Sequence, residues 1–174
     1  MSNSASGQGP SKTPPAARAV GRPERPTGWK RLAFRAPIHL YRLGLGGIFG
    51  RRLLLLEHLG RTSGKTRRVV LEVVAYDRQA RTWTLASGFG PGAQWYRNLQ
   101  EQPRATIQVG RRRCAVIAHF LPAEEGGRIM ARYAAKNPKA AKSLTAYMKF
   151  EVDGTAEGYR QAGEHIPFVR LVEQ

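Results

Sequence analysis

A chain of 174 residues with 41% hydrophobic residues can fill one core and carry a tail, which leaves no room for a separate cofactor domain. Its formal net charge is +17, with 14 Lys/Arg against 2 Asp/Glu in residues 1–70, so the front of the molecule calls for an anionic partner: nucleic acid, anionic lipid or a polyanionic ligand. One cysteine excludes an internal disulfide, no apolar run approaches the roughly 18 residues of a membrane span, and the first 26 residues lack the hydrophobic centre of a signal peptide.

Met1 to Pro26 is rich in Ser, Pro, Gly and Arg with almost nothing to bury, and reads as a disordered basic tail. From Thr27 the spacing of Trp29, Leu32, Ala33, Ala36 and Leu40 predicts a helix, with Lys30, Arg31, Arg35 and Arg42 on another face and a kink at Pro37. Such a basic amphipathic helix either covers the core or lies on an anionic membrane through residues 27–45. Gly44, Gly46, Gly47 and Gly50 complete a connector, so residues 27–50 form a unit between the tail and a domain over 51–174.

The stretch Arg52 to Val70, RLLLLEHLGRTSGKTRRVV, parses as strand, cationic loop, strand. Its loop gathers Arg61, Thr62, Ser63, Lys65, Arg67 and Arg68 near two glycines. Two hydroxyls, several cations and backbone N–H groups suit a phosphate or a carboxylate-rich chain, while a solvated hairpin turn is the alternative. The GxxxxGK[ST] spacing of a P-loop is missing, and no GxGxxG follows a strand.

Thr82 to Ser87 reads as a third strand, followed by the loop Gly88-Phe89-Gly90-Pro91-Gly92 and a short helix from Ala93 to Gln102. Ala105 to Val109 and Arg112 to Leu121 form a hairpin about Gly110, on which Cys114 alternates with Val116, Ala118 and Phe120 as a small core residue. Pro122 opens a helix that runs to about Lys136, a second helix runs to about Phe150, and His165 to Val172 is a last short strand. Five or six short strands with a hairpin and an inserted helix point to a small closed or partly open barrel, since closure removes exposed edges.

His39, His58, His119 and His165 stand apart without Cys or carboxylate partners at ligand spacing, so no metal site is expected. Ser63 and Ser87 lack a nucleophile-elbow setting, and the acids form no evident pair. Chemistry is therefore left to an organic cofactor that the protein binds and orients.

The blocks GRTSGKTR, LASGFGP followed by QWYRNLQEQPRATIQVG, and a terminal IPFVRLVEQ occur in the order and spacing of the deazaflavin-dependent nitroreductase family, actinobacterial proteins that use coenzyme F-420. The resemblance covers about Leu53 to the C-terminus. It implies an α+β, mainly β, split β-barrel resembling flavin mononucleotide-binding oxidoreductases, with peripheral helices. It further implies hydride transfer from reduced F-420 to a quinone, nitro compound or similar acceptor. The expected location is the cytoplasm, and it is the basic helix within residues 27–45, in its membrane reading, that would set the protein on the inner face of the cell membrane.

Carried over by residue, the resemblance sets Arg61, Thr62, Ser63 and Lys65, with Arg67, Arg68, Val69, Val70, Leu71 and Glu72, around the coenzyme's phosphate and tail. Leu85, Ala86, Ser87, Gly88, Gln94, Trp95, Tyr96, Arg97 and Asn98 flank the ring and ribityl portion. Tyr159 stands for the family's acceptor-side tyrosines as the catalytic candidate. The chain departs from the family pattern at Thr66, where proline is frequent, and at Gly88, where lysine is frequent. Two other readings remain open: a non-catalytic basic protein that binds nucleic acid or anionic membrane, and a carrier of lipid or cofactor on the same barrel. Few aromatics interleave the basic stretches, which argues against nucleic acid.

Overall fold

The structure is a computed structural model that describes residues 16–20 and 52–174. The helix expected from Thr27, its Gly-rich connector and most of the tail lie outside the described residues. Within the tail, however, β1 (Ala17–Ala19) is a strand. It pairs antiparallel with β7 (Phe150–Val152), Arg18 opposite Glu151, and the Ala17 N–H donates to Gln161 Oε1 at 3.2 Å. Three short residues with no apolar pattern carry no strand signal of their own; the backbone of β7 supplies it.

The body is a closed, wholly antiparallel barrel. Its strands are β2 (Leu53–Leu59), β3 (Thr66–Asp77), β4 (Thr82–Ala86), β5 (Arg104–Val109), β6 (Arg112–Phe120) and β8 (Phe168–Glu173). They follow the order β2-β3-β4-β8-β6-β5, and β5 returns to pair with β2. Closure pairs every edge, as strands this short require. Alternation decides what points inward: Leu54 and Leu56 from β2, Trp83 and Leu85 from β4, Ile107 from β5, Val116 and Ala118 from β6, and Val169 and Leu171 from β8 form one buried cluster. Cys114 packs against that cluster with Phe120, on the face its alternation predicts.

Helix α1 (Gln94–Glu101) follows the 3₁₀ turn Gly90–Gly92 and sends Trp95, Tyr96 and Leu99 into the barrel cluster. Outside the barrel, α2 (Ala123–Lys136), α3 (Pro138–Tyr147) and α4 (Ala156–Glu164) build a second apolar cluster around Met130, Met148 and Phe168. Helix α4 and strand β7 stand where the sequence shows no element. The second helix, expected to reach about Phe150, ends at Tyr147, because Lys149 turns to a φ of 62° and Phe150 enters β7.

Candidate functional site

The β2–β3 turn is closed by its own backbone. The Gly60 N–H donates to Lys65 O at 2.9 Å, and the Ser63 and Gly64 N–H groups return to Gly60 O at 3.1 and 2.8 Å. Gly64 has φ of +62°, a left-handed conformation that glycine adopts at little cost. This tight turn presents Arg61, Thr62 and Ser63 towards α1, whose Gln94 and Asn98 sit four residues apart on one helix face. Arg61 Nη1 donates to Gln94 Oε1 at 2.9 Å and to Asn98 Oδ1 at 3.0 Å, and the Arg61 backbone N–H reaches the same Oδ1 at 3.2 Å.

Between the turn and α1 lies a cavity of about 500 Å³. Arg61, Thr62, Ser63, Arg67, Gln94 and Asn98 make its polar wall, and Val69, Phe89, Ala93 and Trp95 its apolar wall. Among the described residues no carboxylate lines it, and Arg61 and Arg67 face it with neutral acceptors as their partners there, Arg67 with Ser63 Oγ at 3.5 Å. Arg68 also lines the cavity, but Glu57 pairs with it at 2.6 Å and with Arg113 through its other oxygen. His58 closes the inner wall, and burial lowers its pKa below the ordinary histidine value, with the Arg67 charge adding to the effect.

A second cavity, about 840 Å³, opens between β3 and α3. It shares Arg68, Val69, Phe89 and Trp95 with the first, so the two meet along a common wall. Val70, Leu71, Ala86 and Gly88 line one side, and Ala140, Leu144, Tyr147 and Met148 of α3 and its end line the other. Phe89 meets Tyr147 edge to face, ring centroids 5.9 Å apart. Among the described residues, Glu72 is the carboxylate of this cavity. Its Oε1 accepts from the Tyr133 hydroxyl at 3.0 Å and pairs with Arg52 Nε at 3.4 Å. Burial, the Glu72 charge and this hydrogen bond push the Tyr133 hydroxyl up to about 12, and burial raises Tyr147 as well.

The structure thus gathers most of the residues singled out from the sequence, and divides them. Arg61, Thr62, Ser63, Arg67, Gln94 and Asn98 line the first cavity alone, whereas Val70, Leu71, Glu72, Ala86 and Gly88 line the second. Lys65 is exposed on the turn and Arg97 on the outer side of α1, away from both. Leu85 and Tyr96 are barrel core, and the Ser87 hydroxyl donates to Gly90 O at 2.7 Å, closing its own loop. Tyr159 is buried among Met130, Tyr133 and Phe168 and lines neither cavity. The phenol at the second cavity is that of Tyr147, with Tyr133 behind Glu72, and the Ser143 hydroxyl there donates to Lys139 O at 3.0 Å.

Residues missed from the sequence are His58, Phe89 and the wall given by α3. His58 had a signal, since it continues the inward alternation of Leu54 and Leu56. Ala140, Leu144 and Tyr147 recur at helical spacing.

A family model described as F420H(2)-dependent quinone reductase matches residues 13–148. A Mycobacterium tuberculosis (strain ATCC 25618 / H37Rv) protein, Rv3178, carrying the provisional name F420H(2)-dependent quinone reductase, is 35% identical over 91 residues, 52% of this chain and 76% of that protein. Two solved structures are similar at greater distance. An F420-H2 dependent reductase (FDR-A) is 21% identical, covers 70% of this chain and 95% of its own, and has a TM-score of 0.48. A pyridoxamine 5'-phosphate oxidase-related, FMN binding protein from Nostoc punctiforme is 13% identical, covers 84% of this chain and 81% of its own, and has a TM-score of 0.41.

Proposed function

The chain belongs to the F420H(2)-dependent quinone reductase family, and from that premise we propose that it oxidises reduced coenzyme F-420 at the first cavity and delivers the electrons to a quinone held in the second. The observation that carries this reading is the meeting of two unlike cavities along the Val69, Phe89 and Trp95 wall. Among the described residues, the first is lined by Arg61, Arg67 and Arg68 with no carboxylate; the second is larger, sets Glu72 beside Arg52, Arg68 and Lys139, and is otherwise walled by Val70, Leu71, Ala140, Leu144 and Met148.

The first cavity fits the coenzyme by the chemistry of its donors. Arg61, Arg67, Thr62 and Ser63 suit a phosphodiester, and the flat faces of Phe89 and Trp95 suit a tricyclic ring. When bound, the reduced coenzyme supplies a hydride. The chain contributes the rest: it holds donor and acceptor on two sides of one wall, keeps water from the apolar side, and leaves the acceptor oxygen to take a proton from the open mouth of the second cavity. Tyr147 lines this cavity with a phenol that is protonated at neutral pH, as tyrosine ordinarily is, and so can hydrogen-bond a reduced oxygen. An apolar, flat, electron-poor quinone suits the walls formed by Val70, Leu71, Ala140, Leu144 and Met148.

The test is oxidation of reduced F-420 by the purified protein with menadione as acceptor, followed by the return of coenzyme absorbance. Turnover is expected, with NADH and NADPH much poorer donors because no dinucleotide-binding signature is present. Tight binding without oxidation across quinones, nitro compounds and enones would replace the enzyme reading by that of a carrier. Arg61→Ala and Arg67→Ala are expected to weaken coenzyme binding about tenfold or more, since a charge-assisted hydrogen bond is worth roughly 1.5 to 3 kcal/mol. Lys65→Ala should matter less. Tyr147→Phe set against Tyr159→Phe decides which tyrosine serves the acceptor; the larger fall in kcat is expected at Tyr147.

A further inference from the structure

We infer that Asn98 is a positioning residue that holds the Arg61 guanidinium at the first cavity without neutralising it, and that its amide, oriented by Arg61, sets the tautomer of His58 behind it. The inference rests on the reading that this cavity receives the coenzyme's phosphate. Asn98 is 5% exposed and reaches two elements at once. On one side it meets only donors, the Arg61 backbone N–H at 3.2 Å and Nη1 at 3.0 Å, so the carbonyl oxygen must face the turn. Its Nδ2 then lies 3.2 Å from His58 Nδ1 and donates to it, which makes Nδ1 an acceptor and leaves the imidazole proton on Nε2; the other contact of Nδ1, to Leu59 O, would need the proton on Nδ1 and is longer, at 3.4 Å. A neutral His58 agrees with its burial and with Arg67 standing opposite it in the β2–β3 ladder.

His58 from β2, Arg61 from the turn and Asn98 from α1 therefore form one directed chain of hydrogen bonds. Arginine is a long side chain whose freedom is lost when it grips a ligand, and a site that has already fixed it loses less on binding. The choice of amide matters as much as the contact. Gln94 and Asn98 accept from Nη1 as neutral groups, so the guanidinium keeps its full charge and its remaining N–H donors for an anion. An aspartate at position 98 would still accept from both Arg61 donors, but it would cancel that charge and lose the N–H that faces His58 Nδ1.

The test compares wild type, Asn98→Asp and Asn98→Ala in two measurements. The first is fluorescence binding of coenzyme F-420 and of the phosphate-free deazaflavin riboside. Both variants are expected to lose about tenfold or more in affinity for the coenzyme while the riboside changes less than about twofold. The nearly isosteric aspartate should do no better than alanine. An equal loss for both ligands would overturn the inference, because it would mean that Asn98 supports the ring site or the fold. The second measurement is the titration of His58 by NMR in the coenzyme-free protein. In wild type it should fall below the ordinary histidine value, and in Asn98→Asp it should rise above it, because a carboxylate then faces Nδ1. His58 titrating alike in wild type and Asn98→Asp would overturn the inference whatever the coenzyme does. Failure of wild type to bind the coenzyme would sink the proposed function instead, with the His58 titration still deciding the role of Asn98.

Discussion

His58 and Tyr133 are buried titratable groups that carry no charge at neutral pH, and each sets an edge to the stability of the fold. In the unfolded chain His58 takes a proton near the ordinary value of about 6.5, whereas in the fold burial depresses its pKa. Unfolding therefore takes up a proton below about pH 6.5, so the contribution of His58 is present above that pH and is lost as the pH falls through its lowered folded value. The denaturant midpoint should drop from about pH 7.5 to about pH 5, and His58→Gln should reduce the slope. Tyr133 acts at the other end. Its folded value of about 12 lies above the unfolded tyrosine value, so its contribution is full below about pH 10 and is lost between there and about 12. Tyr133→Phe should flatten the alkaline limb and leave the acid limb unchanged. The cationic half of the site was legible because Arg61, Thr62, Ser63 and Arg67 are neighbours in sequence as well as in space. The division of labour was not legible: Glu72, read with the coenzyme tail, lines the other cavity, and only the placement of α3 against β3 makes that cavity exist.

Among the elements, α2 and α4 show how a helix pair packs without large side chains. Gly126, Gly127 and Gly163 face one another closely. A methyl group added at Gly163 would stand 2.5 Å from Met130 Cβ, 2.7 Å from Gly126 O and 2.9 Å from Gly127 Cα. Those are backbone and Cβ atoms that cannot swing aside, so Gly163→Ala forces the helices apart, despite alanine's better helix propensity. A loss of about 1–3 kcal/mol is expected from denaturant unfolding, as for other overpacked cores. Gly92→Ala is the control, since nothing lies within 4 Å of its added methyl, and it should change stability by less than about 0.5 kcal/mol. The same chemistry hid α4 from the sequence. Its buried face is Gly158, Tyr159, Ala162 and Gly163, and hydrophobic periodicity does not register glycine. One signal was present: Thr155, whose hydroxyl caps the helix by accepting from the Gly158 N–H at 3.0 Å. The barrel strands were legible for other reasons: Trp83 and Leu85 alternate with threonines in β4, and although Leu53 to Leu56 is a continuous run without a period, the β-branched Val69, Val70, Val73 and Val74 beyond Gly60 and Gly64 mark the pair as strands.

At the scale of the whole molecule, charge separates two rival partners for the basic front of the chain. Residues 1–51 carry 9 Lys/Arg against 1 Asp/Glu, and residues 52–174 carry 20 against 11. Ion pairs occupy part of the second set, with Arg68 and Arg113 sharing Glu57, Arg112 on Glu173 and Arg170 on Glu125. The first set has too few carboxylates to compensate it by any arrangement. No helix among the described residues is long and apolar enough to cross a membrane, so attraction to a bilayer would have to act at its surface. Each Lys/Arg near an anionic leaflet contributes about 1 kcal/mol, and several together give reversible binding that weakens as salt shortens the screening length from about 10 Å at 0.1 M to about 3 Å at 1 M. A quinone is itself an apolar molecule concentrated in bilayers, so a surface-bound reductase would meet its acceptor at high local concentration. The full chain is therefore expected to sediment with vesicles rich in anionic lipid at low salt and to be released at high salt, whereas a chain beginning at Arg52 stays in the supernatant under both conditions. Indifference to such vesicles together with a strong shift of duplex DNA would hand the basic segment to nucleic acid. Equal sedimentation of the shortened chain would instead place the attraction on the barrel, where Arg52, Arg68 and Lys139 stand around the second cavity.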